Sequence, residues 1–429
     1  MTKMRLTLAR ALERNRIYGM PESAEIKEQS QQVVSAKPQT VRHLNRSTVL
    51  ELIRQHQPVS RASLARLAGI HRSNISIIVE DLQSRGLLRE EQSRETRKGR
   101  TPALISLARG TDRVVAVNLR RTRTTVVLAS LDGHVDSTYS FTTPDSPATF
   151  LDEMEGALRS LTAGVTGAGR DSPHVAQVVV SIPGILDTGG RRHSTIWTPG
   201  LAGYTGMDMT SALEARLKLP CLLANNAGLG AIAALREAEE RGEPVKDFVF
   251  LVVGDVGVGS GVVLHRHLYS GHDAAYAGEV GHTVIDPRGP LCDCGRRGCW
   301  QLYICDKATW NRYNKKQEYS ASRFEEFLRQ VKAGSPRALQ SLRETASYLS
   351  LGISNIALML NPEKILIAGA LTAVWPILQE DLKAAFFLPH HHAMIQPVEL
   401  PVDQLFLRGA IECGIDLVVS RSNQRQPSA

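Results

Sequence analysis

Apolar positions in this 429-residue chain recur at two different periods, and the change falls near residue 110. Ahead of it the period is helical. Val49, Leu52 and Ile53 mark one stripe, Pro58 breaks it, and Ser60 stands where a cap is needed for a short second helix, "RASLARLAG", ending at Gly69. In the following "IHRSNISIIVEDLQSRGLL", Ile75, Ile78, Val79 and Leu82 fall at i, i+3, i+4 and i+7, and Gly86 is placed to stop the helix. The spacing predicts three short helices with a tight turn before the last. "LLREEQSRETRKGRTPALISL" then has apolar ends around a polar loop, which predicts a two-stranded wing with Arg94, Arg97, Lys98 and Arg100 in its loop.

Beyond residue 110, short β-rich runs alternate with helices. "RVVAVNLRRTRTTVVLASLDG" and "DFVFLVVGDVGVGSGVVL" read as hairpins, "AQVVVSIPGILD" as a strand entering a loop, and "PCLLANNAGLGAIAALREAEE" as a strand followed by a helix. Helices and a strand return in "RETASYLSLGISNIALMLNPEKILIAGAL", so the class is α/β. There is no repeat of fixed short period and no low-complexity segment.

Charge adds to this picture. The net charge is +8, but residues 1–110 carry 20 Lys and Arg against 10 Asp and Glu, so the remainder is slightly acidic. A basic front end can be merely a solvated arm. Joined to a helix-turn-helix pattern, it points to nucleic acid. Arg72, Ser73, Asn74 and Ser76 cluster at the start of the third helix, where side chains meet base edges in the major groove; Arg and Asn there can make bidentate contacts to guanine and adenine. Arg97, Lys98 and Arg100 of the wing would lie against phosphates or in the minor groove. The competing reading is a helical interaction module with a charged loop. No apolar run reaches the roughly 18 residues of a membrane span. The first 20 residues lack the apolar core of a secretory signal, so a cytoplasmic protein is expected.

Three of the six cysteines, Cys292, Cys294 and Cys299, fall within eight positions, on a loop rich in glycine. Three thiolates so close suit a tetrahedral zinc site that takes one more ligand from nearby. His282 and Cys305 are both placed to supply it, and spacing does not choose between them. The alternative is a set of unligated cysteines.

The ordered series "GRTP", "SIPGILD", "ANNAGLGA", "GVGSG", "AGEVGH", "CDCGRRGC" and "NPEKILIAGAL" resembles the ROK family of repressors and sugar kinases, in particular its repressor branch. The resemblance runs from about residue 41 to the end, and the cysteine motif is its most specific part. It implies an α/β, actin-like (ribonuclease-H-like) two-lobed sugar-kinase-like domain over residues 111–429, preceded by a winged helix-turn-helix over 41–110 and a basic arm over 1–40. It selects His282 as the fourth ligand of one structural zinc per chain. It also implies that Asn225, Asn226, Glu279, His282 and Gln301 hydrogen-bond a sugar in a cleft.

Two of those five depart from the family's kinases, because Asn226 and Gln301 replace carboxylates by amides. A kinase needs a base at 226, and an amide has no usable basicity near neutral pH. The first hairpin carries "NLRRTRTT" over Asn118–Thr125, where the family's kinases have an Asp and a Gly–Gly–Thr phosphate turn. The expected function is therefore that of a transcriptional regulator, foremost a repressor, whose operator binding responds to a sugar, with no catalytic residues. A two-fold assembly, a dimer or dimer of dimers, would read an inverted repeat. The alternatives are a sugar kinase with an appended DNA-binding domain, and an activator or partner-controlled regulator.

Overall fold

The computed structural model describes residues 45–46, 48–50, 52–54, 56–92, 103–108, 112–163, 173–187, 194–271, 276–385 and 394–424. They fall into two compact units. The first is drawn from Met1–Ala224, Glu239–Gly242 and Ala410–Ala429, the second from Asn225–Ala238 and Glu243–Gly409.

The first unit opens with helical residues between 45 and 56 that bury Val49, Leu50 and Ile53. A two-residue strand, β1 (Val59–Ser60), leads into α1 (Arg61–Ala68). The Ser60 hydroxyl accepts the Ser63 N–H at 3.2 Å, and Gly69 closes the helix at φ 65°, so both predicted caps are present. Helix α2 (Arg72–Ser84) turns Ile75, Val79 and Leu82 inward and ends just before Gly86, at φ 71°. Strand β2 (Leu88–Gln92) pairs antiparallel with β3 (Ala103–Leu107), as the wing pattern predicts. The periodicity did not reveal that β1 pairs with the other edge of β3, making a three-stranded sheet. The arm over 1–40 and the loop carrying Arg94, Arg97, Lys98 and Arg100 lie outside the described residues.

The same unit holds a five-stranded sheet of β4 (Asp112–Leu119), β5 (Arg123–Ser130), β6 (Val135–Thr142) and β7 (His174–Ile182), completed by Cys221–Asn225. Strands β4, β5 and β6 form an antiparallel meander, and β7 lies parallel to β4. The helices Pro147–Ala163 (α3) and Met209–Leu217 (α4) supply Phe150, Met154 and Leu213 to its core. Seven of the eight residues of β4 are buried, as befits a central strand covered on both faces.

The second unit repeats this plan. Counting β8 (Ile185–Asp187), β9 (Ser194–Trp197) and β10 (Cys221–Asn225) in chain order, its strands are β11 (Phe248–Val253), β12 (Val258–Leu264), β13 (His267–Leu268), β14 (Lys364–Gly369) and β15 (Ile395–Pro397). They lie in the order β13-β12-β11-β14-β15, matching β6-β5-β4-β7-β10 of the first sheet. Again the first three form an antiparallel meander, with β14 parallel to β11. Helix α5 (Asn226–Glu240) packs on the sheet, followed along the chain by α6 (Gln301–Ile304), α7 (Asp306–Tyr313), α8 (Ala321–Lys332), α9 (Pro336–Leu360), α10 (Trp375–Ala385) and α11 (Val402–Gln424). This is the two-lobed α/β architecture that was expected. No helix of the described residues is long and apolar enough to cross a membrane.

Candidate functional site

The chain after His282 doubles back on itself. Ile285 N–H donates to the Gly298 carbonyl at 2.9 Å, Trp300 N–H donates to that of Thr283 at 2.8 Å, and Val284 bridges Cys299 in antiparallel register. Gly298, at φ 70°, passes so close to Asp286 that a Cβ would sit 1.6 Å from its carbonyl oxygen, which only glycine allows. At the loop's end Cys292 N–H donates to the Arg296 carbonyl at 2.8 Å. His282, just ahead of the paired segment, thereby arrives beside the cysteines.

One ligand atom from each of His282, Cys292, Cys294 and Cys299 lies within 4.8 Å of the others. Cys292 Sγ is 3.6 Å from His282 Nδ1, and Cys294 Sγ is 3.5 Å from Cys299 Sγ. Tetrahedral bonds of about 2.3 Å would put neighbouring donors roughly 3.5–4 Å apart, so these atoms already stand near the corners that zinc requires. Cys305, the other candidate by spacing, is buried away from this group, and burial pushes its thiol up to about 11. The donor chemistry agrees. Burial, with Cys294 and Cys292 close by, pushes the Cys299 thiol up to about 12. Burial raises the Cys294 thiol too, but hydrogen bonds from the Arg296 main chain and side chain, together with those from Cys299 and Cys292, outweigh it and lower that thiol below its ordinary value. Thiols that cannot all ionise side by side would be relieved by a divalent cation. Burial and the Arg296 charge, partly opposed by Asp293, hold the His282 imidazole toward its neutral, ligating form.

The residues expected to meet a sugar divide into three groups. Glu279 Oε2 approaches His282 Nε2 at 3.9 Å, on the side of the ring opposite Cys292, and burial pushes the Glu279 carboxyl up to about 7. Asn225 ends β10, and its Oδ1 accepts the N–H groups of Ala227 (2.9 Å) and Gly228 (3.1 Å), capping α5, whose first residue is Asn226. A Cβ on Gly259 or Gly261 would strike Ala227 or Ala231 of α5, whereas the Ser260 hydroxyl donates to the Gly278 carbonyl at 2.5 Å. Successive residues face opposite sides of a strand, so α5 and the turn bearing Glu279 flank β12 from its two faces. Gln301, 7% exposed, has its amide directed to Cys292 Sγ (3.4 Å) and the Val258 N–H (3.4 Å).

The turn between β4 and β5 contains no residue at positive φ, as befits the absence of a glycine phosphate turn. Gly259 and Gly261 are required by the close approach of α5, and Gly369 by Val253, whose carbonyl oxygen would lie 2.1 Å from a Cβ. Sequence reasoning missed a carboxylate beside the second glycine loop. Asp306 N–H donates to the Gly254 carbonyl at 3.1 Å, the neighbouring Lys307 N–H donates to that of Asp255 at 2.9 Å, and Asp306 is only 3% exposed. Burial, with the Asp255 charge as a smaller contribution, pushes the Asp306 carboxyl well above the usual range. Asp255 was visible in "VVGDVGVGSG"; the burial of Asp306 was not.

At the other end of the chain, Arg72, Ser73 and Asn74 are exposed on the first turn of α2, while Ile75 points into the core and Ser76 is half-buried. His71 Nδ1 lies 2.9 Å from Ser73 Oγ.

The profile of the ROK family matches residues 114–395. The xylose repressor of Bacillus subtilis (strain 168) is 23% identical over 352 residues, covering 80% of this chain and 86% of that protein. The DNA-binding transcriptional dual regulator NagC of Escherichia coli (strain K12) is 23% identical over 341 residues, covering 77% and 82%. Among solved structures, a ROK family transcriptional regulator homologous to the E. coli MLC protein superposes with a TM-score of 0.71 at 21% identity, covering 89% of this chain and 98% of that one. A ROK family glucokinase from Streptomyces griseus, in complex with glucose and AMPPNP, gives 0.57 at 20% identity, covering 70% and 99%.

Proposed function

The chain belongs to the ROK family, and we propose that it is a DNA-binding transcriptional regulator, a repressor, whose hold on its operator is set by a sugar or sugar derivative at a zinc-supported site. The observation that carries this reading is the exposed first turn of α2, with Arg72, Ser73 and Asn74, on a winged helix joined to a ROK domain. The first three helices and the wing, over residues 41–110, form the DNA-binding domain. Residues 111–429 form the sugar-binding and oligomerisation domain. Arg72, Ser73, Asn74 and Ser76 read bases; Arg97, Lys98 and Arg100 of the wing hold phosphates. A homodimer or dimer of dimers acting in the cytoplasm would place two such helices on an inverted repeat.

His282, Cys292, Cys294 and Cys299 hold zinc, which when bound supplies a structural cross-link between the cysteine loop and the turn bearing Glu279. Asn225, Asn226, Glu279 and His282 hydrogen-bond the sugar, a mixture of donors and acceptors suited to hydroxyls. Sugar phosphorylation is disfavoured on two grounds: Asn226 cannot act as a base, and the first hairpin has no glycine turn.

Sugar binding favours one conformation of the protein, and because half-sites are fixed by the helical repeat, a change in the spacing of two recognition helices weakens operator binding. Coupling of about 1–3 kcal/mol is typical of such systems. The test starts with thermal shift against D-xylose, N-acetylglucosamine, glucose and their phosphates. DNA is then selected from a random pool and assayed by mobility shift with and without the sugar that binds. The expected result is an inverted repeat released by that sugar, with Glu279→Ala still binding DNA but no longer responding. Selection of no DNA sequence would overturn the reading, and a sugar that tightens the complex would reverse its sign.

A further inference from the structure

Gln301 occupies a position where the resemblance implied a sugar contact, yet its side chain is turned elsewhere. The backbone N–H of Val258 can only donate, so the amide atom facing it at 3.4 Å is the carbonyl Oε1. The Nε2H2 group must then face Cys292 Sγ, also at 3.4 Å. Chemistry fixes the orientation of the amide, because a flipped Gln301 would set a donor against a donor. The fit is close on both sides: a Cβ on Gly257 would lie 3.4 Å from Oε1, and one on Gly281 would lie 3.2 Å from it. Both amide atoms are thus directed at protein partners, in a residue only 7% exposed.

We propose that Gln301 is a positioning residue of the metal centre, its amide tying the Cys292 thiolate to the start of β12. This rests on the reading of His282, Cys292, Cys294 and Cys299 as metal ligands. A metal-bound thiolate retains lone pairs that accept hydrogen bonds, and donors in this outer position orient the ligand and tune its charge. An amide can donate to sulfur and accept from Val258 at once. A carboxylate can accept from Val258, but it would set a second negative charge against the thiolate. The structure thus supplies a local reason for glutamine at this position.

The connection reaches further than the sulfur. Gly281 packs so closely on Val258 that a Cβ there would lie 2.5 Å from the Val258 carbonyl oxygen. The turn bearing Glu279 and His282 and the residue gripped by Gln301 therefore share one contact. Metal occupancy at Cys292 is felt at Val258 through the Gln301 amide, and at Glu279 through His282.

The test uses the full-length protein with Co(II) in place of zinc, because thiolate-to-cobalt charge-transfer bands report directly on the sulfur ligands. Gln301→Met keeps the side-chain volume and removes both hydrogen bonds; Gln301→Glu keeps the acceptor and removes the donor. Far-UV circular dichroism should show both folded like the wild type. Both should lose metal to a competing chelator at ten- to a hundredfold lower chelator concentration. In Gln301→Met, loss of the N–H···S bond should also shift the charge-transfer band to longer wavelength. Wild-type retention and an unshifted band in both variants would overturn the proposal. If those variants lost only their thermal response to the sugar panel, Gln301 would be a direct sugar ligand and the proposal would again fail. A wild-type protein that gave no tetrahedral cobalt spectrum would instead overturn the metal reading beneath it.

Discussion

Arg54 and Glu412 are 358 positions apart in the chain, yet Arg54 Nη2 donates to the Glu412 main-chain carbonyl at 3.1 Å. The same guanidinium pairs with the carboxylates of Glu412 and, one turn further along α11, Asp416. The Arg54 side chain is only 5% exposed. Nearby, a Cβ on Gly414 would lie 2.3 Å from Val114, and Arg421 donates to Gln177 Oε1 at 2.6 Å. Within the first unit, the C-terminal helix therefore fastens the first helix of the winged domain to the sheet. Arg54→Ala would leave two carboxylates one helical turn apart in a largely buried patch. Breaking such a cluster costs about 3–5 kcal/mol, to be read as a fall in the urea midpoint. Arg54→Lys should recover only part of this, because a single ammonium cannot reproduce the guanidinium fork.

Asp306 predicts an unusual pH dependence. Its carboxyl is held above the ordinary aspartate value by burial and by Asp255, so the folded state binds that proton more tightly than the unfolded chain. The other titratable groups that sense it are Tyr319 and Cys305; Lys307 and Arg312 act on Cys305. For a carboxyl raised on folding, its contribution to stability is present below the unfolded value of about 3.9 and is lost as pH rises through the raised folded value. Asp306→Asn should therefore be more stable than the wild type at pH 8, by about 1–3 kcal/mol, with the difference vanishing toward pH 4. Parallel stability curves for the two proteins between pH 4 and pH 8 would refute this.

Metal analysis of two serine variants separates the candidate ligands. Cys294→Ser should lose most of the approximately one zinc per chain expected of a four-ligand site, because one donor of the cluster becomes a poor ligand. Cys305→Ser should keep it, since Cys305 lies outside the group. Removing the metal from the wild type with a chelator should lower its melting temperature, as metal binding is coupled to local folding. Equal zinc in Cys294→Ser and the wild type would dismiss the site.

Binding of selected operator DNA should respond differently to the two basic regions. On the proposed base-reading role of α2, Arg72→Ala and Asn74→Ala should each cost about 1–3 kcal/mol and relax sequence preference. Arg100→Ala should weaken binding to all sequences and flatten the salt dependence by about one phosphate contact. Exchange of those two phenotypes would mean that α2 is not the helix that reads the groove.

Much of the winged domain was legible in the sequence because its information is local. Ser60 caps the helix it precedes, Gly69 and Gly86 take the left-handed backbone that ends a helix, and Ile75, Val79 and Leu82 share a face by spacing alone. Likewise, three cysteines within eight residues mark a candidate metal site from their spacing alone. The β1–β3 pairing escaped notice because two residues, Val59 and Ser60, carry no period and find their partners across more than forty positions.

What the tertiary structure decided is what depends on separated segments meeting. Spacing left His282 and Cys305 as equal candidates; the pairing of Val284 with Cys299 brought the histidine to the cysteines. The resemblance implied a sugar contact for Gln301; only the fold shows that its amide also meets Val258 and Cys292. The strand order shared by the two units has no counterpart in the sequence, because many apolar patterns satisfy the same sheet. By itself, the sequence determined the elements, their caps and the donor types, since these depend on neighbours within a few residues. The environment of each donor depends on which surfaces exclude water together, and that is settled only when the whole core packs.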